Sequence, residues 1–109
     1  MEAFEIADLL QQQERSGERY LEFLKAPAIS TGIYALPHGA VDTQQPHTED
    51  EVYYVIKGRG MIRVGEEDRP VTAGSMVYVD EALEHRFHSI TEDLTILVMF
   101  APPRRSRAS

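Results

Sequence analysis

Four histidines, at positions 38, 47, 85 and 88, are the side chains in this 109-residue sequence best suited to hold a metal ion or move a proton near neutral pH. One of them sits in a run dense with donors, Gln45-Pro46-His47-Thr48-Glu49-Asp50-Glu51, directly before a stretch of aromatic and β-branched residues. On an extended chain, residues of one parity face one side, so Gln45, His47, Glu49 and Glu51 are placed to point toward a common interior. That is a candidate metal edge, and a second strand carrying His85 would add another imidazole. Cysteine is absent, which removes thiolate sites, disulfides and cysteine nucleophiles together and leaves any metal with N and O ligands. Glu51 carries the most weight. An unpaired carboxylate facing an apolar interior costs several kcal/mol, or takes up a proton, unless a cation or strong donors meet it. His47 alone could be that donor.

The remaining polar residues have weaker readings. Glu49 reads first as solvated, although its parity also makes it a spare ligand or a general base. Tyr53 shares parity with Glu51 and is the best pocket-lining candidate, whereas Tyr34, Tyr54 and Tyr78 read as packing residues. His38, between Pro37 and Gly39, reads as an exposed turn, and His88 has the wrong parity to join His85, which assigns it to the surface or a dimer contact. Gly58-Arg59-Gly60 reads as a hairpin turn between strands and not as a phosphate loop opening a helix. No serine sits on a Gly-x-Ser-x-Gly elbow.

The elements that would position these groups are mostly strands. Phe4, Ile6, Ala7, Leu9 and Leu10 follow a helical spacing, and Ser16-Gly17 supplies a stop, so a short amphipathic helix opens the chain. Beyond it, Arg19 to Leu24, Ile29 to Leu36, Glu51 to Ile56, Met61 to Val64, Met76 to Val79, His85 to Ser89 and Leu94 to Phe100 read as short strands. Their separators, among them Lys57-Gly58-Arg59-Gly60, Gly65-Glu66-Glu67-Asp68, Ala73-Gly74-Ser75 and Thr91-Glu92-Asp93, read as turns. Helical crossovers are missing, so the expected fold class is all-β: a small antiparallel β-barrel or jelly roll with a short N-terminal helix. Residues 1–17 form the helix and lead-in, 18–101 the barrel and 102–109 a solvated tail.

At these residues the sequence resembles the cupin superfamily. Its first motif is Gly, five residues, His-x-His, three or four residues, Glu, six residues, Gly. Gly39, Gln45, His47, Glu51 and Gly58 keep every spacing, with Gln45 standing where the first His belongs. The second motif maps onto Gly74, Asp80, Ala82, His85 and Ser89, where Gly and His match while Pro, Gly and Asn are replaced. The resemblance runs from about Gly32 to Ala101 and implies one divalent metal ion, Fe, Mn, Ni or Zn, held by His47, Glu51 and His85 with Gln45 as a fourth ligand. Glutamine offers a neutral carbonyl oxygen, which shifts the donor set from three N and one O toward two N and two O.

Charge narrows the functional classes. Eleven Lys and Arg against eighteen Asp and Glu give −7, and Arg104, Arg105 and Arg107 fall in the last six residues, so the body before them is 8 − 18 = −10. Such a surface repels phosphate backbones and anionic lipid, which argues against nucleic-acid and membrane partners. The N-terminus lacks a basic leader pattern, and the chain reads as cytoplasmic. The expected function is a metal-binding cupin acting on a small organic molecule inside the barrel, as a dioxygenase, isomerase or lyase, with Glu49 or Tyr53 assisting proton transfer. The alternative is a small-molecule-binding or sensor module that has lost the full metal site. A homodimer is expected, with the strands after the helix offering an edge to the partner.

Overall fold

The computed structural model describes residues 1–43, 48–81 and 83–104. Helix α1 (Ile6–Ser16) ends at Gly17, whose φ of 72° is the left-handed conformation that glycine adopts without a Cβ penalty. It buries Leu9 and packs on strands β1 (Tyr20–Lys25) and β2 (Ser30–Leu36). Four further strands follow, β3 (Asp50–Val64), β4 (Glu67–Thr72), β5 (Met76–Val79) and β6 (His85–Ala101). All pairings are antiparallel, in the order β1-β2-β6-β3-β4, with β5 on the other side of the first half of β3. The expected all-β class with one short N-terminal helix is what the chain adopts.

Two expected turns are absent. Lys57 to Gly60 lies inside β3 and Thr91 to Asp93 inside β6, so four expected strands are two long ones. The glycines are there for a corner. Where β3 and β6 pass each other, their register slips between Val55 and Met61, and Gly58 (φ 102°) runs so close to β6 that a Cβ would strike the Asp93 carbonyl. Bulges of this kind bend a strand without ending it. Ser89, with a φ of 48°, breaks the alternation of β6 at the same corner: Phe87 and Ile90 are both buried. The unexpected strand β4 is exposed along most of its length and contains Pro70, which an edge strand tolerates because one side of it needs no ladder donor.

The bend decides the function of the sheet. Glu51 pairs with Phe100 at one end of β3, and Val64 pairs with His85 at the other. Thirteen extended residues would span about 43 Å. In the folded chain the side chains of Glu51 and His85 touch, because the two halves of the long strands face each other across the core. That core is built from the inward rows, with Leu36, Tyr53, Val55, Ile62, Phe87 and Ile96 all buried.

Candidate metal centre

Glu51 and His85 are both buried, and His85 Nε2 lies 3.1 Å from Glu51 Oε2. Parity on β3 turns Glu51, Tyr53 and Val55 inward together, as the alternation of the sequence requires. Tyr53, fully buried, donates its hydroxyl to the same Glu51 oxygen. Its ring packs edge-on against Phe87, with centroids 5.0 Å apart, and lies 6.0 Å from the His85 ring. Three polar side chains therefore meet on an apolar wall.

The His85 ring has a defined orientation. Its Nδ1 lies 2.8 Å from the Leu83 carbonyl, an acceptor, so Nδ1 carries a hydrogen and Nε2 faces Glu51. Without a second proton on the ring, a nitrogen lone pair and a carboxylate oxygen would confront each other at 3.1 Å. A shared proton or a cation relieves that repulsion. Burial pushes the His85 pKa down, but the Glu51 hydrogen bond, the Leu83 carbonyl and the charges of Glu51 and Asp42 together raise it above its ordinary value. A backbone carbonyl on the far nitrogen is also the outer contact that orients metal-binding histidines. The donor chemistry of the pair thus fits a divalent ion.

Of the other expected ligands, Gln45 and His47 lie outside the described residues. Among the described residues no group of three or more His, Asp and Glu side chains is close enough to hold a metal, so the pair is half of the expected set. Glu49, for which solvation was the simpler expectation, is buried and accepts a hydrogen bond from the Thr48 hydroxyl. His88 is half-buried on the outer side, 2.7 Å from Asp68, and His38 is exposed.

Asp42 was not singled out by the sequence. Its Oδ1 accepts from the Tyr34 hydroxyl at 2.7 Å and its Oδ2 from the Phe87 N–H at 2.9 Å, so it ties the segment after β2 to the strand that carries His85. Nothing local marks it; its role exists only once β2 and β6 are paired. Tyr20 has one local signal in the sequence: Gly32, a lone glycine inside β2, marks a close approach, and it is the Tyr20 ring that fills the space above it.

A family model described as "Cupin domain" matches residues 32–100. An uncharacterised protein of Streptomyces coelicolor is 46% identical over 103 residues, covering 94% of this chain and 98% of that one. Among solved structures, a protein of Thermus thermophilus superposes with a TM-score of 0.75 at 22% identity, over 94% of this chain and 99% of its own. The DMSP lyase of Ruegeria pomeroyi gives a TM-score of 0.68 at 15% identity, over 76% of this chain and 47% of its own. At these identities the two structural likenesses establish the fold alone.

Proposed function

The chain belongs to the cupin domain family, and on that premise we propose that it binds one divalent metal ion through His47, Glu51 and His85, with Gln45 as a fourth ligand, and acts on a small organic molecule inside the barrel. The observation that carries this reading is the buried Glu51–His85 contact, in which the ring is turned by Leu83 so that Nε2 meets a carboxylate. A bound ion would supply Lewis-acid polarisation of a substrate oxygen. The rest falls to the chain's own groups. Tyr53 holds one Glu51 oxygen in place, Asp42 fixes the strand behind His85, and the apolar wall of Phe87 and Val79 limits water. Glu49 and Tyr53 are the groups through which a proton would pass. The likeness to a lyase fold is compatible with this class of chemistry.

Protein purified without chelators should contain close to one equivalent of a divalent metal by mass spectrometry. His47→Ala, His85→Ala and Glu51→Gln should each weaken affinity by at least about 100-fold in chelator competition, since even outer-shell losses cost 10- to 100-fold. Sub-stoichiometric metal that none of the three variants changes would overturn the reading.

One observation favours a second reading, a binding or sensor module without metal: Glu51 already meets Tyr53 and His85, so the protein itself can satisfy the carboxylate. A thermal-shift screen separates the two, because ligands that bind only the folded state raise its melting temperature. Divalent metals should shift it under the first reading, small organic ligands alone under the second. A homodimer along the edge of β1, which no other strand pairs among the described residues, belongs to either reading, and light scattering that shows a monomer at micromolar concentration removes it.

A further inference from the structure

Tyr20 pairs with Tyr34 in a row that continues to Ile96 and Val55. Its ring does not stay in that row. It leans onto the next, Gly32–Val98–Tyr53, where a Cβ on Gly32 would collide with the Tyr20 ring and hydroxyl. The row after that is Ser30–Phe100–Glu51, and the Tyr20 ring stands 6.2 Å from Phe100, edge to face. The glycine therefore lets a phenol lie along the inner wall and reach toward the metal-binding end. The hydroxyl oxygen at its tip is buried and has no hydrogen-bond partner among the described residues.

A buried tyrosine hydroxyl usually finds a partner, and leaving one unmet is costly. Evolution could remove it with a phenylalanine of the same shape. Burial above all raises the Tyr20 pKa, opposed by Arg104 and reinforced by Glu22 and Glu51, so the group keeps its proton and is a donor at neutral pH. The Arg104 guanidinium lies 4.8 Å from the ring centroid, held near by its own backbone N–H, which donates to Ser30 Oγ at 2.8 Å. Among the described residues the buried carboxylates are Asp42, Glu49 and Glu51. A donor hydroxyl backed by a guanidinium is the complement of a carboxylate, and a ligand that took both would need its acceptor oxygen on the Gly32 side of the barrel.

We propose that Tyr20, with Arg104 beside it, recognises a carboxylate group of the small molecule held in the barrel, which makes the ligand class a small organic carboxylate. This rests on the reading of the barrel interior as the ligand site. It does not depend on which ligands hold the metal.

The test is calorimetric titration of the purified full chain with acetate and benzoate, and with acetamide and benzamide as uncharged matches, for the parent, Tyr20→Phe and Arg104→Gln. Metal affinity by chelator competition and melting temperature are measured on the same samples. The carboxylates should bind the parent better than the amides, and Tyr20→Phe and Arg104→Gln should each weaken carboxylate binding by about tenfold or more. Metal affinity should not change. The melting temperature of Tyr20→Phe should hold or rise, since it removes a buried hydroxyl that has no partner. Failure of either carboxylate to bind the parent, equal binding of acids and amides, or unchanged carboxylate affinity in Tyr20→Phe would each overturn the proposal. So would a melting temperature lowered in Tyr20→Phe, which would make the hydroxyl a structural group. A protein that holds no metal yet shows the Tyr20-dependent carboxylate binding would overturn the metal reading and leave this one standing.

Discussion

Asp42 accepts hydrogen bonds from two different elements, the Tyr34 hydroxyl on β2 and the Phe87 N–H on β6. Replacing it by alanine would strand both donors in a buried region. Each unmet buried donor costs about 1–3 kcal/mol, so Asp42→Ala should lose about 2–5 kcal/mol in urea unfolding at neutral pH, with the midpoint falling and the m-value unchanged. Tyr34→Phe should cost less, and the double variant should cost less than the sum of the two, because they remove one shared contact. Additive losses would mean that the Tyr34 contact contributes nothing. Because Phe87 is two residues from His85, Asp42→Ala should also weaken metal binding. The exposed Arg59–Glu92 pair, at 3.7 Å, is the contrast: Arg59→Ala should change stability by about 0.5 kcal/mol or less, since two solvated charges gain little from each other.

The long strands show where reading a sequence by its turn signals stops working. A glycine pair between apolar runs is the local signature of a hairpin and also of a bulge at a barrel corner. Only the pairing with β6, more than thirty residues away, decides between them. The two sites therefore have opposite expectations. Gly58→Ala, at a φ of 102° and with its new methyl against the Asp93 carbonyl, should cost about 3 kcal/mol or more, because the obstacle is backbone that cannot move aside. Gly65→Ala, in the true turn between β3 and β4, has open space around its Cβ and should cost only about 1 kcal/mol, for its positive φ of 58°. Equal losses in thermal unfolding would remove the corner interpretation. What the sequence made legible follows the same division. Helix α1 and its stop at Gly17, the inward parity of Glu51 and Tyr53, and the place of His85 at a strand start are all set by local pattern, and the chain keeps them. Strand β4 was hidden because its charged, edge-exposed residues carry no apolar alternation. The burial of Glu49, the clamp by Asp42 and the lean of Tyr20 over Gly32 depend on contacts between elements, which no window of sequence contains.

At the scale of the whole molecule, two tyrosines on the inner wall set how the fold answers to alkali. Burial is the main cause that raises the pKa of Tyr20 and of Tyr34. For Tyr34 the hydrogen bond to Asp42 and the charge of that carboxylate add to it, while Arg19 and Arg104 oppose it. Tyr20 joins β1 to the inner faces of β2 and β6, and Tyr34 joins β2 to the segment bearing Asp42, so ionising either would put a negative charge beside existing carboxylates. The folded state prefers the protonated phenols, and the unfolded chain releases their protons near the ordinary tyrosine value of about 10. Their contribution to stability is fully present below that pH and is lost as pH rises toward the higher folded-state values, because the folded state then binds more protons than the unfolded one. Urea unfolding at pH 9, 10 and 11 should show stability falling above pH 10, by no more than one proton's worth of slope per buried tyrosine. The part of the tyrosinate absorbance that the Tyr20→Phe and Tyr34→Phe variants remove should appear with unfolding and not before it, in contrast to the exposed Tyr54 and Tyr78. Tyr20→Phe and Tyr34→Phe should each flatten the slope, and the pair together should flatten it most. A slope that both variants leave unchanged would place the alkaline sensitivity in the general acidity of the chain, whose net charge is already −7 before lysine loses its proton, and would remove the inner-wall tyrosines as its cause.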